Sequence, residues 1–167
     1  MKKYGNYTIN KNIYKYIKFK FFYMDIPTFL LMWLGGFLTL LIGDFLWLGK
    51  IMRKTIIEDF KSYIELDENG FTKMRLGIGV LAWIIISLGC VYFVSNQVNT
   101  YLEAFGIGLF FGFILYACYD LTNYTFFMKY SKRFVIIDIL WGSFICSLVS
   151  LSGFAIKVFI QNRGGLI

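Results

Sequence analysis

The sequence predicts an all-α protein, a polytopic transmembrane bundle of about four helices. Three observations carry that expectation. Residues of the apolar set make up 58% of the 167 positions and charged residues only 16%, against a charged share of about 25% in soluble domains. A soluble fold of this size has too little interior to hide so much apolar surface. Four windows of about 19 residues are apolar enough to enter hydrocarbon, and each reaches the roughly 20 residues that a helix needs to cross it. Those windows contain few charges.

Residues 1–26 form a basic, aromatic-rich juxtamembrane arm. Six lysines (Lys2, Lys3, Lys11, Lys15, Lys18, Lys20) alternate there with Tyr4, Tyr7, Tyr14, Tyr16 and Phe19. Lysines interleaved with aromatics occur in RNA binders. An arm that leads straight into an apolar run is better matched to anionic headgroups, so anionic lipid is the expected partner and nucleic acid is not. The membrane domain, 27–161, begins at Pro27, a residue tolerated at a helix start. Span one, 28–49, contains Asp44 as its one charge. It is too long for the apolar region of a signal peptide and lacks a small-x-small cleavage pattern, so it is expected to be retained.

Between spans one and two, residues 50–75 carry six basic and five acidic side chains. The spacing of Met52, Ile56, Phe60, Tyr63 and Ile64 predicts an interfacial amphipathic helix, and Asp67-Glu68-Asn69-Gly70 predicts a turn. Span two, 76–95, has no charge, and the short link after it predicts a helical hairpin with span three, 101–121. Span three has Glu103 at its mouth and Asp120 near its end. A connection with Lys129, Lys132 and Arg133 leads to span four, 134–156, which contains Asp138, and residues 162–167 form a short tail. The two termini together hold eight basic residues and the first and third connections nine, so the charge bias sets no orientation.

The composition excludes several chemistries. There is no histidine, which removes Ser-His and Cys-His pairs and histidine metal motifs together. Cys90, Cys118 and Cys146 fall inside apolar stretches without disulfide or metal spacing and are expected to be small buried residues. No phosphate-binding glycine loop is present. What remains is acidic. With alternating span directions, Asp44, Asp120 and Asp138 fall in one leaflet, near the interface but inside the apolar slab. A carboxylate there costs on the order of 3 kcal/mol at full depth and less near the interface, which makes each a candidate functional residue.

The local patterns favour one shared site over three accidents. Asp44-Phe45-Leu46-Trp47 and Asp138-Ile139-Leu140-Trp141 each place a carboxylate and an indole on one helix face. Span three carries Ala104, Gly108, Gly112, Tyr116 and Asp120 at four-residue steps, with Asn123 three further on. Small residues on such a row allow close helix packing, and the row ends in a phenol, a carboxylate and an amide. The same row also reads simply as a packing face with a polar end.

The blocks Asp44-Phe45-Leu46-Trp47-Leu48-Gly49, Tyr116-Ala117-Cys118-Tyr119-Asp120-Leu121-Thr122-Asn123 and Asp138-Ile139-Leu140-Trp141-Gly142 resemble, in order and spacing, the hallmarks of domain-of-unknown-function family 2177. That is a family of small four-span predicted membrane proteins. The resemblance covers roughly residues 28–160 and implies four spans. It marks Asp44, Trp47, Tyr119, Asp120, Asn123, Asp138 and Trp141, and brings no reaction with it. The long basic arm and the first loop depart from the family pattern.

Three functions fit the residues. The first is a small carrier or ion-handling protein using the aspartates, expected as a homo-oligomer because four helices rarely enclose a path alone. The second is a membrane-embedded enzyme acting on lipid, with the carboxylates holding a divalent cation as cofactor. The third is a structural or assembly protein whose aspartates lock the bundle by pairing with Lys50, Arg53, Lys129 or Arg133.

Overall fold

A computed structural model of the chain describes residues 25–164. Residues 1–24 of the basic arm, with their expected contact to anionic lipid, and 165–167 of the tail lie outside the described residues. The described chain is helical, without strands. Helix α1 (Ile26–Leu46) continues as a π-helical turn (Trp47–Ile51), and α2 (Arg53–Asp59) is short. Helix α3 (Leu76–Cys90) also ends in a π-helical turn (Val91–Ser95), followed by α4 (Tyr101–Phe126) and α5 (Lys132–Gly164). Four helical segments are long and apolar enough to cross a membrane: Ile26–Ile51, Leu76–Ser95, Tyr101–Phe126 and Lys132–Arg163.

The arrangement follows from what each helix must bury. Helix α5 is the centre, packing along α4 and α1 and touching α3. On α1 the buried residues are Met32, Gly36, Leu40 and Asp44, one every fourth position, which is one stripe of a helix. Leu30, Leu34, Leu38 and Ile42 point outward, where lipid takes the place of a protein core. Leu40, Cys90, Ile145, Cys146 and Val149 form one interior cluster, so two of the three cysteines are buried as expected. Cys118 departs from that expectation and is exposed. It lies two residues from both Tyr116 and Asp120, which places it on the other side of α4 from the inward row.

The glycine row on α4 sets the closest approach in the bundle. A Cβ added at Gly112 would lie 2.5 Å from the Gly142 carbonyl oxygen and 2.9 Å from Ser143 Cα. The backbones of α4 and α5 therefore touch without side chains between them, the packing that small residues permit in lipid. Polar links cross the other interfaces. Trp33 Nε1 donates to Ser87 Oγ (3.1 Å) and Ser95 Oγ to the Ser150 carbonyl (2.9 Å). At the face opposite Asp120, Lys157 Nζ donates to the carbonyls of Asn96 (2.8 Å) and Val98 (3.1 Å), closing the end of the hairpin. Thr100 Oγ1 accepts from Glu103 N, and Glu103 Oε2 accepts from Asn99 N, a reciprocal cap that starts α4.

Loop one is more folded than its expected amphipathic helix. Helix α2 has seven residues, and it rests on the end of the bundle, touching α5. Met52 is buried, Ile56, Phe60 and Ile64 are half-buried, and Tyr63 is exposed. The expected turn forms: Gly70 adopts φ +74°, a conformation that favours glycine, and Asp67 Oδ1 accepts from Asn69 N and Phe71 N. Arg53 Nη2 donates to the Gly70 carbonyl (2.9 Å), and its guanidinium lies 4.1 Å from the Phe71 ring centre. Loop one is thereby held as a small cap.

Candidate functional site

The four-residue row of α1 ends in Asp44 and that of α4 ends in Asp120, so helix packing itself delivers two carboxylates to one end of the bundle. Asp44 is 5% exposed and Asp120 0%. Asp138, six residues into α5, is half-buried at the same end.

Asp44 is fully dressed by indoles. Trp83 Nε1 donates to its Oδ2 (2.7 Å) and Trp141 Nε1 to its Oδ1 (2.8 Å). These bonds tie α1 to α3 and to α5. Trp47, the indole expected to face Asp44 on its own helix, stacks on Trp141 with ring centres 4.3 Å apart and planes 5° apart. Its Nε1 is buried and without a partner. Asp44 and Trp47 line one cavity.

Asp120 is dressed on one oxygen only. Tyr130 Oη, from the connection between α4 and α5, donates to Asp120 Oδ1 (3.0 Å), while Oδ2 is buried without a partner. The Asp138 side chain lies within hydrogen-bond reach of the same carboxyl group, and Asn123 reaches the Tyr130 phenol. Burial, and next the Asp120 charge, push the Tyr130 phenol above its usual range, so at neutral pH it remains a donor.

The expected pairing of the aspartates with Lys50, Arg53, Lys129 or Arg133 does not occur. Among the described residues the salt bridges are Lys54–Glu58 and Lys73–Glu65, both within loop one. Lys50, Lys129 and Arg133 are exposed, and Arg53 is turned toward Gly70 and Phe71. Indole and phenol donors from the apolar spans and their edge meet the carboxylates instead. Nor do the three carboxylates converge on one point. Among the described residues no group of three His, Cys, Asp or Glu is placed to hold a metal ion.

Beside the aspartates lies a cavity of about 340 Å³. Asp44 and Asp138 line it, together with Trp47, Tyr116, Tyr119 and Trp141. Tyr116 lies over Gly142, a position where any Cβ would collide with its ring. Tyr119 is 64% exposed and stands at the rim. Phe60 of loop one, Tyr130 and Phe134 complete the lining with Leu48. Their rings meet edge to face, Phe60 at 5.2 Å from Tyr130 and 4.9 Å from Phe134. Ser131 Oγ donates to Asp59 Oδ2 (2.5 Å) and accepts from Phe134 N (3.1 Å), which fastens loop one to the start of α5.

Trp83 and Tyr130 belong to this site and carry no role in the sequence reading, where Phe60 appears only as part of the loop-one helix. For Trp83 a signal existed. A tryptophan N–H in an uncharged span needs an acceptor, and the start of span two lies in the same leaflet as Asp44.

Four apolar helices around an interior whose aspartates gather at one end define a multi-pass integral membrane protein. The family model described as "Predicted membrane protein (DUF2177)" matches residues 29–155, and the chain belongs to that family. No curated protein and no solved structure matches the chain.

Proposed function

We propose that the protein is a small membrane carrier or ion-handling protein that loads a proton or a cation at the Asp120–Asp138 pair. The observation that carries this reading is the undressed half of the pair. Asp120 Oδ2 accepts from no indole, phenol or backbone donor, its neighbour is the Asp138 carboxyl group, and no salt bridge reaches either residue among the described residues. Two carboxyl groups that close do not both carry charge unless something positive lies between them. A structural lock would have that partner built in, as Asp44 has its indoles. A site that loads and unloads leaves the position to a mobile species, the usual role of carboxylates in ion and proton pathways.

The test is transport by the full chain reconstituted in vesicles containing a pH-sensitive dye, with a sodium, potassium, proton or tetraethylammonium gradient imposed. Protein-dependent flux is expected, and Asp138→Asn and Asp120→Asn should each reduce it at least tenfold while far-UV circular dichroism stays unchanged. Vesicles no more permeable than protein-free ones, or folded variants as active as the native chain, would overturn the reading.

A further inference from the structure

We infer that the cavity beside the aspartates binds a small organic ammonium ion. This rests on the carrier reading and names its cargo. The volume gives the first argument. About 340 Å³ lies at the low end of small-molecule sites and is some ten times the roughly 30 Å³ share of one water, far more than a bare ion occupies. The lining gives the second. Of its ten residues seven are aromatic and two are acidic, and none is basic. Carboxylates disfavour an anion, and an apolar neutral molecule gains nothing from them. A small hard cation would give up its hydration for ring faces and too few oxygens. An ammonium group carrying hydrocarbon is attracted both to carboxylates and to aromatic faces, the combination that recognises such ions elsewhere.

The division of labour among the carboxylates follows from their partners. Both Asp44 oxygens already accept from indoles, so Asp44 supplies field. Asp138 lines the cavity and is the direct counter-ion. Asp120, fully buried with an undonated oxygen, lies behind it and keeps negative charge at the cavity when a cation arrives. Tyr119 at the rim is the aromatic residue most accessible to an entering ligand.

The experiment uses the purified full chain in detergent micelles, titrated with tetraethylammonium chloride at constant ionic strength. The stacked Trp47–Trp141 pair lies in the cavity wall, so intrinsic tryptophan fluorescence is the readout. A saturable change is expected, with sodium chloride giving none. Asp138→Asn should weaken binding at least tenfold, Tyr119→Ala about fivefold, and Tyr119→Phe should keep native affinity. Tyr119 is exposed, so its variants keep the test open should Asp138→Asn fail to fold. Sodium matching tetraethylammonium, or a Tyr119→Ala protein binding as well as the native one, overturns the ammonium assignment. Absence of tetraethylammonium binding in a protein that still carries ion flux in vesicles overturns the cargo and leaves the carrier standing. Absence of both sinks the two together.

Discussion

Replacing Trp83 by Phe isolates what the indole N–H does for Asp44. The bond it removes is short, 2.7 Å from Nε1 to Oδ2, as expected for an N–H facing a carboxylate. Two magnitudes compete. Hydrogen bonds between membrane helices average about 0.6 kcal/mol, whereas bonds to charged groups are worth roughly 1.5–3 kcal/mol. The second governs here, because Asp44 is 5% exposed. A loss near 2 kcal/mol follows, about a thirtyfold fall in the folded-to-unfolded ratio. Phe is also smaller than Trp, so part of any loss would be packing. A double-mutant cycle with Asp44→Asn removes that part. The assay is reversible unfolding in mixed micelles, followed by far-UV circular dichroism because the substitution alters fluorescence. A coupling of at least about 1 kcal/mol is expected between the two positions. A coupling below about 0.3 kcal/mol, within the scatter of independent sites, would refute the claim that the indole holds the carboxylate.

The remaining predictions concern the packing and the Tyr130 phenol. Gly112→Ala pushes a methyl into the α5 backbone and should cost about 1–3 kcal/mol. Gly106→Ala has no heavy atom within 4 Å of its new Cβ and should be neutral or gain up to about 1 kcal/mol; equal effects at the two sites in the same unfolding assay would contradict the α4–α5 contact. In a near-ultraviolet titration Tyr130 should ionise after the exposed tyrosines, and Asp120→Asn should bring it down. Its folded pKa is raised above the ordinary 10.0, so the stability it gives is whole below pH 10 and falls as the pH climbs past that value.

The spans were legible because lipid imposes a length and an apolar composition that survive any tertiary arrangement. Their ends were less so. Helix α4, read from the sequence as reaching at least Leu121, runs to Phe126, and Thr125 Oγ1 folds back onto the Leu121 carbonyl (2.8 Å), so a polar segment stays helical. The π-helical turns at Trp47 and Val91 depend on what packs beside them, which no window of sequence contains. The three aspartates were found because charge in an apolar run stands out, and the structure does place them at one end of the bundle. Their partners were not found. Proximity along the chain pointed to Lys50 and Arg133, whereas the donors are Trp83, Trp141 and Tyr130. A hydropathy window counts an indole as apolar surface and does not register its N–H. The cavity roof at Phe60 was hidden for another reason. It depends on the Asp59–Ser131 bond, which joins residues 72 apart.

The two indoles on Asp44 lie 39 and 97 residues downstream of it, and that order has a consequence for biosynthesis. At about 5–20 residues per second, Trp141 is made roughly 5–20 s after Asp44. Over that interval the first helix enters the bilayer with a carboxylate that has neither partner, then one, then both. Its place near the helix end keeps it close to headgroup water while it waits. Helix α5, made well after α1, therefore completes the shielding of Asp44, and a chain interrupted before Trp141 would carry an incompletely satisfied acid in the membrane.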